Sequence, residues 1–252
     1  MAEALSRKGA GASLAAASPS AITTAEPVSE HPPALRTPSA PEDSQTRVST
    51  SEPAVTGQPR QLPANLAELR EAACKCADCA LSAKRKNVVF GVGSEHPDVL
   101  FIGEAPGEQE DVQGEPFVGR AGQLLDRMLD ASGWSRDSVY IMNVVKCRPP
   151  GNRDPKPGEV RACSRWFDAQ WDLLQPRVVC LLGRVAAQRV LGTEASLSSL
   201  RGRWHEYRGV PVWVTYHPAY LLRTPTGKAA VWQDLRVLAE RVQSLRAPVS
   251  GG

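Results

Sequence analysis

A chain of 252 residues fits one domain with appendages, and its 42% hydrophobic and 23% charged residues are an ordinary globular balance. No apolar run approaches the roughly 18 residues of a membrane-spanning helix. The first residues lack the charged start and apolar block of a secretory signal, so six cysteines point to metal or catalytic roles rather than a disulfide framework. The net charge of +3 is mild, but residues 1–60 hold five Lys/Arg against six Asp/Glu, a net of −1, which leaves +4 on the remainder. That remainder is the part suited to a nucleic-acid partner.

Residues 1–62 are rich in Ala, Ser, Thr and Pro and contain no Phe, Tyr or Trp. Such a segment cannot bury enough apolar surface to offset its ordering entropy, so a disordered tail is expected there and at 247–252, around a domain over 63–246. Asn65 can cap a helix carrying Leu66, Leu69 and Ala72, which delivers the chain to Cys74, Cys76 and Cys79. Four β-rich apolar runs follow, at Val99–Gly103, Val139–Val145, Arg177–Gly183 and Val210–Tyr216. Helical periodicity lies between and after them, at Ala121–Ser132, Glu159–Leu174, Val185–Leu191 and Lys228–Leu245. The alternation predicts a three-layer α/β/α domain with a central four-stranded parallel sheet. Several strands are apolar on both parities, as doubly covered strands should be. Ligands of such sheets bind beyond the carboxyl ends of the strands, where Glu104, Asn143, Gly183 and His217 all fall.

Cys76 and Cys79 form a C-x2-C pair, and Cys147 and Cys163 add two more thiols around the turn Arg148-Pro149-Pro150. Four thiolates suit zinc or an iron–sulfur cluster, and spacing does not separate the two. Cys74 offers a second register, but Cys76 completes the usual pair with Cys79; Cys180, inside an apolar strand, reads as a buried free thiol. The first strand runs into Gly103-Glu104-Ala105-Pro106-Gly107, a tight turn able to present backbone N–H groups, with neither the spacing nor the Lys-Ser/Thr ending of a P-loop. Phe117, between turn formers beside the same crevice, is placed to stack on a planar base. Lys84, Arg85, Lys86, Arg120, Lys146, Arg148, Arg153 and Arg223 are the cations available for phosphates.

Three blocks carry a resemblance: GEAPGEQEDVQGEPFVGRAGQLLD (Gly103–Asp126), NVVKCRPPGNRDP (Asn143–Pro155) and HPAYLLR (His217–Arg223). In order and with the cysteines, they resemble the signature blocks of family 4 uracil-DNA glycosylases, the iron–sulfur branch of that superfamily, over about residues 64–245. The resemblance implies a DNA-repair hydrolase that flips uracil out of single- or double-stranded DNA and cleaves its N-glycosidic bond, leaving an abasic site. It implies a [4Fe-4S] cluster on Cys76, Cys79, Cys147 and Cys163, and a uracil pocket of Gly103, Ala105, Gly107, Glu110, Phe117, Asn143 and His217. In it Phe117 stacks on the base, Asn143 reads its edge, Glu110 blocks a thymine methyl and His217 contacts O2. The wider superfamily places an Asp to orient the water where this chain has Ala105, so Glu104 is the candidate beside His217 for catalysis. The structural reading of His217 is a capping residue. A cytoplasmic monomer without a membrane partner is expected.

Two other functions compete. A sister branch bonds covalently to its DNA, but it carries a His-bearing basic insertion, and Lys146–Arg153 contains no His. A metal-stapled, non-enzymatic nucleic-acid-binding module is the other.

Overall fold

The computed structural model describes residues 62–246; the expected tails lie, apart from Leu62, outside the described residues. The chain opens with α1 (Leu66–Cys74), whose cap is the expected one: Asn65 Oδ1 accepts from the Glu68 amide at 2.9 Å. A short strand β1 (Val92–Gly93) leads to β2 (Val99–Gly103), α2 (Glu108–Gln113) and α3 (Arg120–Ala131). Strand β3 (Tyr140–Asn143), helix α4 (Pro157–Leu174), strand β4 (Val178–Leu182) and helix α5 (Arg184–Leu191) form the middle of the domain. The chain then passes through α6 (Leu197–Leu200), β5 (His205–Tyr207), β6 (Val210–Thr215), α7 (Pro218–Arg223) and α8 (Lys228–Arg246).

The sheet order is β1-β3-β2-β4-β6-β5. The expectation of four parallel strands is therefore corrected to a six-stranded mixed sheet. The parallel pairs are β3–β2, β2–β4 and β4–β6, and β1 and β5 add antiparallel edges of two and three residues. Such edges are too short to show a period of two, and short edge strands also offer little to a second sheet.

Side-chain alternation divides the core into two layers. From β2, Leu100 and Ile102 pack with Leu69 of α1, Trp166 and Trp171 of α4 and Ala187 of α5. Val99 and Phe101 point the other way, toward Leu125 and Leu129 of α3 and Leu235 and Leu238 of α8. Every residue of β2, β3 and β4 is buried, which explains their apolarity on both parities. Truncating Leu125 or Leu129, each fully buried, would cost about 3 kcal/mol.

The carboxyl ends of the four parallel strands share one edge. The register places Gly103 opposite Asn143 and Leu182 opposite Thr215. From β2 the chain crosses to β3 on one side, while β4 pairs on the other, so the sheet switches direction at the end of β2. Among the described residues no helix is long and apolar enough to cross a membrane.

Candidate functional site

A cavity of about 480 Å³ opens at that switch point, lined by residues at or beyond the ends of β2, β3 and β6. It gathers Glu104, Ala105, Gly107, Glu110, Phe117, Asn143 and His217, which are expected site residues scattered over more than a hundred positions of sequence. Gly103 lies directly beneath: a Cβ there would collide with Asn143 Oδ1 and come within 2.6 Å of Phe117 Cζ. The absence of a side chain at Gly103 is what lets the amide and the ring close over the strand end.

Phe117 holds φ +55°, an uncommon conformation for an aromatic residue. Two features over-determine it. Gly122 of α3 packs so closely on the Phe117 main chain that any Cβ would overlap the carbonyl. Arg136 donates to the Phe117 carbonyl at 3.1 Å and to the Pro116 carbonyl at 2.6 Å, and its guanidinium is held by Asp126 at 2.8 Å. Glu110, from α2, braces the same loop: its Oε1 accepts from the Val118 and Gly119 amides, both at 2.9 Å, at the start of α3. The acidic stretch expected as a turn is thus partly helical, and Glu110 faces inward.

Asn143 ends β3 and is 1% exposed, yet its Oδ1 has no hydrogen-bond partner. A buried orphan acceptor costs about 1–3 kcal/mol, an expense expected at a site completed by a ligand. The Asn143 main chain is fixed by Lys146 Nζ, which donates to its carbonyl at 2.8 Å. Lys146 itself is buried, which removes it from the candidate phosphate contacts.

His217 follows β6 and caps α7: its Nδ1 accepts from the Ala219 amide at 3.1 Å. The structural reading of this residue is therefore correct, and it leaves Nε2 free to carry the proton. Burial lowers the imidazole pKa to about 4, Arg223 adding to the effect and Glu110 opposing it, so the ring is neutral at ordinary pH. Gly183, at φ +90°, clears the space behind it; a Cβ would sit 2.9 Å from the His217 Cβ. The Phe117 and His217 rings lie 5.5 Å apart with a 32° tilt.

Glu104 has its carboxyl pKa raised to about 7, first by burial and then by the neighbouring Asp154, with Arg184 opposing. Asp154 lines the cavity with Asn152, Arg153, Tyr220 and Arg223. Of these, only Arg153 and Arg223 were singled out by the sequence, as phosphate contacts, and Arg153 is engaged by Glu159 at 2.6 Å.

The comparisons agree with this geometry. Residues 90–236 match the model of the uracil DNA glycosylase superfamily. The type-4 uracil-DNA glycosylase of Sulfurisphaera tokodaii is 38% identical over 185 residues, covering 70% of this chain and 84% of the relative. That of Archaeoglobus fulgidus is 41% identical over 173 residues, 66% of this chain and 87% of the relative. That of Thermotoga maritima is 46% identical over 151 residues, 59% and 79%. The chain belongs to the type-4 group of the uracil DNA glycosylase superfamily. Membership supports a base-excision-repair glycosylase function.

For a member of this superfamily the cysteine region holds a correction. Cys76, Cys79, Cys147 and Cys163 line one small cavity, and Cys74 does not. However, among the described residues no three or more His, Cys, Asp or Glu side chains gather so that they could hold a metal ion, which overturns the expected [4Fe-4S] centre. The cavity these cysteines line is about 10 Å³, scarcely room for one water. The thiols are also engaged locally. Cys147 Sγ accepts from Arg85 at 3.4 Å, and Cys163 Sγ accepts from the Lys146 amide at 3.3 Å. Burial raises both pKa values, Cys163 to about 11. All six cysteines are free, and Cys180 is buried in β4 as expected.

Proposed function

We propose that the cavity receives a uracil extruded from DNA and hydrolyses its N-glycosidic bond. The observation that carries this reading is the buried, unpartnered Asn143 Oδ1, whose residue lines with His217 a cavity large enough for a nucleobase and its sugar. A uracil edge offers the N3–H donor that would satisfy that acceptor and the O2 acceptor that would take the His217 Nε2 proton.

Phe117 supplies a face for the base, worth about 1–3 kcal/mol against the cost of unstacking. Because Phe117 and His217 are 5.5 Å apart, less than the about 7 Å needed to insert a ring between two others, His217 would meet the base at its edge. Glu110, immobilised by two amides, would fill the space a thymine methyl requires. As the bond breaks, negative charge develops on uracil and positive charge on the sugar. A neutral His217 and the Ala105 and Gly107 amides would stabilise the first, and Glu104, beside the crevice, would orient water and balance the second.

The test is incubation with a uracil-containing single-stranded oligonucleotide, followed by alkali cleavage at abasic sites. Catalytic excision of uracil, with no denaturation-resistant adduct and no release of thymine, is the expected result. A stoichiometric adduct, or binding without cleavage, would contradict it.

A further inference from the structure

Glu104 has a carboxylate neighbour that the strand-end motif does not contain. Asp154 comes from the loop between β3 and α4, yet it lines the same cavity, and its charge raises the Glu104 pKa. It is held there from two sides. Arg184, the first residue of α5, lies 3.4 Å from Asp154 Oδ2, and Arg153 Nη1 donates to the Asp154 carbonyl at 2.9 Å. A neighbouring carboxylate disfavours the ionisation of Glu104.

We infer that Asp154 acts through Glu104: its carboxylate at the edge of the cavity poises Glu104 to take a proton from the attacking water. This rests on the glycosylase reading above. In the step concerned, the water oxygen bonds to C1′ of the deoxyribose. The C1′–N1 bond breaks with its electron pair leaving on the uracil anion, and the water proton passes to the Glu104 carboxylate. Asp154 touches neither base nor water in this scheme and is a positioning residue. The charged groups facing Glu104 are Asp154, which favours its protonation, and Arg184 and Arg189, which disfavour it. With burial these place the Glu104 pKa at about 7, where a general base is effective at neutral pH.

The test is the single-turnover rate of uracil excision from a single-stranded oligonucleotide, measured from about pH 5 to about pH 9. In the wild type, excision should rise through a midpoint near 7, and Glu104→Gln should abolish the rise. Asp154→Asn removes the repelling charge and should move the midpoint down by on the order of half a pH unit. Arg184→Gln removes a stabilising cation and should move it up. Opposite displacements from two solvent-facing residues are not the signature of a merely structural role. If the wild type shows the rise and Asp154→Asn leaves its midpoint in place, the pairing is wrong while the glycosylase reading stands. A wild type that excises no uracil at any pH overturns both.

Discussion

The guanidinium of Arg136 holds the main chain of Phe117 in its left-handed conformation, donating to the Phe117 and Pro116 carbonyls at 3.1 and 2.6 Å. The Phe117 side of the cavity is thus set by a residue from the turn before β3. Arg136→Ala should release the loop, costing about 1–2 kcal/mol in urea unfolding. It should also reduce kcat/KM for uracil excision by roughly tenfold. A loss of stability with unchanged kcat/KM would mean that Phe117 keeps its place without the clamp.

Gly103 gives a sharper test of the same surface. A methyl group there would collide with Asn143 and Phe117 together, while the strand itself keeps its hydrogen bonds. Gly103→Ala should retain the cooperative unfolding of the domain, with a stability loss of about 1–3 kcal/mol, and lose at least about 100-fold in excision. Excision near the wild-type rate would show that the amide and ring need not meet over the strand end.

Two cavity groups titrate in opposing directions. His217, lowered from 6.5 to about 4, contributes stability that is present above pH 6.5 and lost as pH falls toward 4. Near pH 5 that loss is on the order of 2 kcal/mol. Glu104, raised from 4.5 to about 7, contributes stability that is present below pH 4.5 and lost as pH rises through 7. The two offset each other, so the wild type should change little between about pH 7 and about pH 5 from these groups. Urea unfolding of His217→Gln should show stability gained on acidification, and Glu104→Gln stability lost. The same slope in both variants would contradict the assigned shifts.

A further network supports the site from behind. Asp234 of α8 accepts from Arg201 at 2.7 Å and from Thr215 Oγ1, the last residue of β6, at 2.5 Å. Asp234→Ala leaves a largely buried cation and a buried hydroxyl without partners, and should destabilise the domain by roughly 3 kcal/mol, read by urea midpoint. Asp234→Asn should recover part of the loss. Equal behaviour of the two variants would mean that charge pairing contributes nothing there.

The parts of this molecule legible in its sequence are those with a strong local signal. β2, β3, β4 and β6 show as apolar runs, and α1 announces itself through Asn65. α7 is absent from the helical periodicities because it is six residues long, opens on Pro218 and is capped by a histidine. The roles of Arg136 and Asp154 are invisible for a different reason. Each is a charge in a loop, indistinguishable in sequence from a solvated one, and only the approach of Phe117 or Glu104 in space gives it work. The cysteines show the converse: a C-x2-C pair states that two thiols can meet, while whether Cys147 and Cys163 approach near enough to bind a metal depends on packing between the end of β3 and α4.

The role proposed for Asn143 is to read the uracil edge in this cavity. Its most direct test is single-turnover excision by Asn143→Ala beside the wild type, on one uracil oligonucleotide, with affinity for abasic DNA measured in parallel. The expected result is a loss of at least about 100-fold in excision with abasic-DNA binding retained. Excision by Asn143→Ala within about twofold of the wild type would contradict it.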